Sequence, residues 1–267
     1  MSAIAPTILA LDFDGVICDG LIEYFQTAWG TYCQIWSPSS ETPPEELVPK
    51  FYRLRPVIEV GWEMPVLIRA LLLDVPEEKI WQDWAGVSEQ IVREEGLQAA
   101  DIGAKLDRFR DEWIARDLNG WLSLHRFYPG VVERLRSLPS SGVKPYIITT
   151  KEGRFVQELL QQEDIDMPSG SIFGKECKRP KHQILRELIA AADGQPVNIW
   201  FIEDRLKTLQ SVAKQPDLDE VRLYLADWGY NTAAQHELVR DNPRIGLLSL
   251  SLFSDDFANW DVELAQK

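Results

Sequence analysis

Short apolar runs recur along the chain, and each stops abruptly at polar or turn residues. Thr7–Phe13 (TILALDF) gives way to Asp14-Gly15, Pro145–Thr150 (PYIITT) to Lys151-Glu152, and Val197–Ile202 (VNIWFI) to Glu203-Asp204. Val221–Ala226 (VRLYLA) repeats the pattern, and Arg244–Leu250 (RIGLLSL) adds one more such run. Runs of this length without polar alternation predict strands buried on both faces. Between them the apolar spacing changes to that of a helix, over Phe155–Gln162, His182–Ala192 and Arg205–Lys214. Strands alternating with amphipathic helices predict an α/β fold, a parallel sheet flanked by helices on both faces. In such a sheet the carboxyl ends of the strands form the ligand crevice.

The stretch from residue 20 to residue 127 reads differently. No buried strand interrupts it, and its apolar positions fall at helical spacing: Leu21, Ile22, Phe25 and Trp29, then Ile102, Leu106, Phe109 and Trp113. One Pro/Ser-rich loop, SPSSETPPEE, breaks it at residues 37–46. The expected organisation is a core made of residues 1–19 and 128–267, with 20–127 as an inserted α-helical domain. Tyr128-Pro129-Gly130 marks the return to the core.

Charge narrows the partners. The chain has 267 residues with Asp+Glu 42 against Lys+Arg 28, a formal net charge of −14. No basic cluster exists to neutralise a nucleic acid or an anionic lipid surface, so neither is expected as a partner. The three cysteines, Cys18, Cys33 and Cys177, form no CxxC pair, which fits a reducing compartment. The opening residues lack a basic, long-apolar leader, and no apolar run approaches the roughly 20 residues of a membrane span. The expectation is a cytoplasmic protein of open oligomeric state.

Chemistry enters at the strand ends. Asp12 and Asp14 flank Phe13, so the period of two in extended chain turns both to the same side. A single acid after a strand is ordinarily a turn residue or a helix cap. Two carboxylates held together repel, and a cation or a shared proton must relieve them. A hard divalent ion such as Mg²⁺ suits an all-oxygen set and leaves room for a phosphate. The second acidic pair, Glu203-Asp204, follows another apolar run and is placed to complete such a site.

Asp12-Phe13-Asp14-Gly15-Val16 resembles the first motif, DxDx[TV], of the haloacid dehalogenase superfamily. Ile147-Ile148-Thr149-Thr150 resembles the second motif, Lys181 the lysine of the third, and Trp200-Phe201-Ile202-Glu203-Asp204 the fourth. Tyr128-Pro129-Gly130-Val131 and Asp227-Trp228-Gly229-Tyr230 also look familial. The resemblance spans roughly residues 7–20 and 128–250. It implies a Rossmann-like sheet with a helical cap between the first and second motifs. It also implies a Mg²⁺-dependent phosphatase acting on a small phosphorylated metabolite through an aspartyl-phosphate. Asp12 would then be the nucleophile and Asp14 the acid/base. Thr149, Thr150 and Lys181 would bind the phosphoryl group. Asp12, Asp204 and the Asp14 carbonyl would hold the metal. Many family members carry a further acid where this chain has Thr208, so Glu203 takes the place of the extra metal acid.

Lys175 and Lys178 lie close to Lys181 in sequence, and Lys178 is the rival for its role. Within the insertion, Arg53 and Arg55 suit a second anionic group, with Arg55 the chosen substrate contact; pairing with nearby acids is the plain alternative. The acid at position 14 argues against the metal-independent dehalogenases of the superfamily. A sugar phosphomutase on the same core, or a silent member used for binding or regulation, are the other readings.

Overall fold

A computed structural model describes residues 5–260. The chain divides into two compact units, one of Met1–Asp19 with Arg126–Lys267 and the other of Gly20–His125.

The first unit holds a six-stranded parallel sheet. Its strands are β1 (Ile8–Leu11), β4 (Lys144–Ile148), β5 (Ile172–Phe173), β6 (Ile199–Glu203), β7 (Arg222–Ala226) and β8 (Ile245–Leu248). Their order across the sheet is β5-β4-β1-β6-β7-β8. Every residue of β1 and of β6 is buried, as expected for strands covered on both faces. On one face Ile8 and Ala10 join Phe201, Leu223 and the apolar sides of helices Lys181–Ala190 and Leu206–Ala213 in one cluster. On the other face Trp200 packs against Tyr224 and Trp260, with ring centroids 5.5 and 5.2 Å apart. Two short strands, β2 (Cys18–Asp19) and β3 (Arg126–Phe127), pair antiparallel.

Each long apolar run of the sequence holds a strand, with ends shifted by at most two residues; β4 begins one residue before its run and β6 ends one residue after it. The edge strand β5, two residues long, carries too little pattern to be read. Register places the chemistry. Leu11 pairs with Ile147 on one side and Ile202 on the other, so the residues that follow β1, β4 and β6 emerge at one level. The chain also crosses to opposite sides of β1 before β4 and before β6, which makes β1 the topological switch point.

The second unit is helical, with Leu21–Trp36, Glu63–Leu72, Trp84–Glu94 and Ala99–Arg116 among its members. Its interior includes a buried ion pair: Glu23, fully enclosed, accepts from Arg110 Nε at 2.7 Å and from the Trp121 indole at 3.1 Å. Arg53 pairs with Glu77 at 2.6 Å, the plain alternative for that arginine. Arg55 is buried, lies over the Tyr24 ring and donates to the Ile58 carbonyl. Among the described residues, no helix is long and apolar enough to cross a membrane.

Candidate active site

The site grows from the turn after β1. Asp12 stays in register, its N–H donating to the Ile202 carbonyl at 2.9 Å. The chain then reverses over Phe13–Cys18, where the Gly15 N–H donates to the Cys18 carbonyl and the Ile17 and Cys18 N–H groups donate to Phe13. Gly15 sits at φ +90°, and a Cβ built there would fall 2.2 Å from Asp204 Oδ2. Glycine is required both for the backbone and for the approach of the two acid-bearing loops. Gly15→Ala is therefore expected to cost about 1–3 kcal/mol in backbone strain alone, with more from the collision. Denaturant unfolding would measure it, and an unshifted midpoint would contradict the close approach.

Asp12, Glu203 and Asp204 are all buried and bring one carboxylate oxygen each within 4.8 Å of one another. Lys181, the first residue of its helix, reaches in between them. Its ammonium lies 2.7 Å from Asp12 Oδ1 and 2.7 Å from Glu203 Oε2. Lys178 and Lys175 are exposed, and Lys178 sits in left-handed backbone at the end of a 3₁₀ turn. Of the three lysines weighed from sequence, geometry therefore brings Lys181 to Asp12.

Electrostatics here are dominated by burial. Burial pushes the Asp12 carboxyl up to about 7, opposed chiefly by Lys181. It pushes Glu203 up to about 7, again opposed by Lys181. Asp204 is raised to about 6, by burial first and by Asp12 second. The Lys181 ammonium is held well above the ordinary lysine range: burial opposes its charge, and the two carboxylates outweigh that.

The two acids of the fourth motif are placed differently. Glu203 is satisfied at both oxygens, by Lys181 at Oε2 and by the Arg205 N–H at Oε1, 3.0 Å away. Asp204 accepts from the Tyr230 N–H at Oδ2, 2.8 Å away, but its buried Oδ1 has no hydrogen-bond partner. An orphaned buried carboxylate oxygen is costly unless a cation meets it. The Mg²⁺ that the family resemblance implies fits these residues: the donors are hard oxygens, and one of them lacks a partner.

Asp14 extends from the same turn and pairs with Lys151, Nζ to Oδ1 at 3.1 Å. The sequence reading did not single out Lys151, because no local pattern links it to Asp14. Thr149 is buried, and its hydroxyl accepts from the Lys151 N–H at 3.1 Å, which shapes this strand-end loop. A cleft of about 360 Å³ opens beside Thr149, Thr150 and Lys181 and is lined also by Arg179, His182 and Lys207. No carboxylate lines it, but Arg179 pairs with Glu187, and Lys181 with Asp12 and Glu203. The remaining site expectation, Arg55, belongs to the helical unit.

The sequence profile of the haloacid dehalogenase-like hydrolases matches residues 6–214. No curated protein matches the chain. Among solved structures, a phosphoglycolate phosphatase by prediction, from Haemophilus somnus 129pt, is similar at TM-score 0.57 and 16% identity, covering 98% of each chain. A haloacid dehalogenase-like family hydrolase from Streptococcus pneumoniae is similar at TM-score 0.53 and 17% identity, covering 92% of this chain and 95% of the other. Protein Tyrosine Kinase A from Mycobacterium tuberculosis also shares the fold, at TM-score 0.53 and 17% identity, over 86% of this chain and 87% of the other. At these identities the structural likeness establishes the fold. The profile, matched across most of the chain and including every strand-end acid of the site, establishes the family: this protein belongs to the haloacid dehalogenase-like hydrolases.

Proposed function

We propose that the protein is a Mg²⁺-dependent phosphomonoester hydrolase acting on a small phosphorylated metabolite. The observation that carries the reading is the Asp12 carboxylate, buried beside the unpartnered oxygen of Asp204 and held by Lys181 at 2.7 Å. A structural ion pair would not bury a second unpaired acid against the first. The Thr149 hydroxyl and the Lys181 ammonium, grouped beside Lys207 in one cleft, suit an anionic substrate.

Asp12, Asp204 and the main-chain carbonyl of Asp14 would hold the metal, and Glu203 would orient Lys181 rather than bind it. When bound, the ion offsets the charge of an anionic nucleophile meeting an anionic phosphate. A carboxylate oxygen of Asp12 attacks phosphorus in line, and the bond from phosphorus to the leaving oxygen breaks. Asp14, kept in place by Lys151, gives its proton to that oxygen, and an aspartyl-phosphate remains on Asp12. Asp14 then takes a proton from water, the water oxygen bonds to phosphorus, and Asp12 is released with inorganic phosphate. The Thr149 hydroxyl and Lys181 ammonium stabilise the equatorial oxygens throughout. The helical unit Gly20–His125 would act as the cap that selects the substrate.

Hydrolysis of an aryl phosphate should fall about a hundredfold or more when EDTA replaces Mg²⁺. Equal rates under both conditions, across a panel of metabolite phosphates, would sink the metal-dependent reading. Isomerisation of a sugar phosphate outpacing phosphate release would convert it to a mutase.

A further inference from the structure

The residues that follow β7, Trp228 to Asn231, perform no step of the reaction above, yet every one of them touches an acid-bearing loop. The Trp228 indole N–H donates to the Val16 carbonyl at 3.1 Å. At Gly229 an added Cβ would fall 2.3 Å from Asp204 Cβ and 2.6 Å from the Gly15 carbonyl oxygen, so this backbone lies against both loops at once. The Tyr230 N–H donates to Asp204 Oδ2 and its phenol donates to Asp19 Oδ1, both at 2.8 Å. The Asn231 amide donates to the carbonyls of Asp204 and Ala226, at 3.0 and 2.7 Å.

Sheet pairing fixes β1 and β6 only as far as the strands run. Beyond Leu11 and Glu203, the separation of the Asp12–Asp14 turn from Asp204 depends on what bridges the two loops. Magnesium tolerates little error in that separation, because it demands near-ideal octahedral geometry at short oxygen distances. We propose that Trp228–Asn231 is a positioning bracket for the metal site, with Tyr230 as its central residue. Tyr230 fixes one oxygen of Asp204 from the backbone, which leaves Oδ1 to face the cation. Its phenol anchors that arrangement to Asp19 at the far end of the turn. The inference rests on the metal-dependent reading above and assigns a role to residues outside the ligand set.

The test is Mn²⁺ binding to the full-length chain, measured by titration calorimetry without substrate. Tyr230→Phe keeps the ring and the backbone N–H and removes the phenol's bonds to Asp19 and Tyr128. It should weaken Mn²⁺ binding about tenfold, and Trp228→Phe should act in the same direction. Tyr146→Phe, inside β4 three residues before Thr149 and stacked on Phe173, should leave binding unchanged. A purely structural role would lower the melting temperature in EDTA and leave the dissociation constant of the folded protein alone. Wild-type affinity in both Tyr230→Phe and Trp228→Phe overturns the bracket while leaving the metal reading intact. A wild-type protein that binds no Mn²⁺ overturns both.

Discussion

Asp12→Asn protein is expected to lose phosphomonoester hydrolysis by on the order of 10⁴-fold or more while remaining folded. The amide has the shape of the carboxyl group but cannot form the aspartyl-phosphate, so binding survives and chemistry does not. Stability should not follow activity. Burial, together with Glu203 and Asp14, opposes the Asp12 charge and pushes its carboxyl up to about 7, so the charged form is unfavourable where it sits. A neutral amide removes that repulsion and leaves Lys181 its contact with Glu203. The melting temperature in EDTA at neutral pH should therefore match or exceed that of the wild type. The rate assay and the thermal melt together decide the matter. Retained hydrolysis in a folded Asp12→Asn variant would place the nucleophile elsewhere.

Lys181→Met is expected to have the largest effect on stability, about 3–5 kcal/mol at alkaline pH. The methionine keeps the apolar stem, while Asp12 and Glu203 lose the cation that both of them face at 2.7 Å. The sign of the pH dependence identifies the cause. Both carboxyls already sit at about 7 with the lysine present, against ordinary values of 3.8 and 4.5, and they rise further without it. A folded state whose acids have raised pKa values binds more protons than the unfolded chain. Its stability is therefore greatest below the unfolded values and declines as pH rises through the folded ones. Metal-free wild type should show this decline from about pH 4 to about pH 7. In Lys181→Met the deficit should widen from about pH 5 to about pH 8, because a neutral carboxyl needs no cation and a charged one does. Urea unfolding at both ends of that range measures it. A deficit independent of pH would mean that Lys181 contributes packing rather than charge.

The strand-end acids were readable because each is announced locally, by an apolar run that stops at a carboxylate. Asp12, Asp14 and Glu203-Asp204 needed only alternation and composition to stand out. The lysines were harder. Three of them lie within seven residues, Lys175 to Lys181, and nothing local says which will reach Asp12. That depends on where the helix starts: Pro180 precedes its first turn, and this start aims Lys181 between β1 and β6. Lys151 stayed hidden for a related reason. A lysine after a strand is unremarkable until the turn following β1 brings Asp14 to within 3.1 Å of it.

The division between Glu203 and Asp204 shows the same boundary most sharply. In sequence they are two adjacent acids after one strand, equal candidates for a metal. In the fold, Glu203 meets Lys181 and the Arg205 N–H, whereas Asp204 meets Tyr230 and keeps one oxygen without a partner. Apolar periodicity and strand-end chemistry are properties of neighbouring residues, so the chain alone carries the α/β class, the helical insertion and the acids of the site. Which acid takes a lysine and which awaits a cation depends on residues 22 and 26 positions further along or back, Lys181 and Tyr230. Only the parallel register of β1, β6 and β7 brings those residues within hydrogen-bond reach.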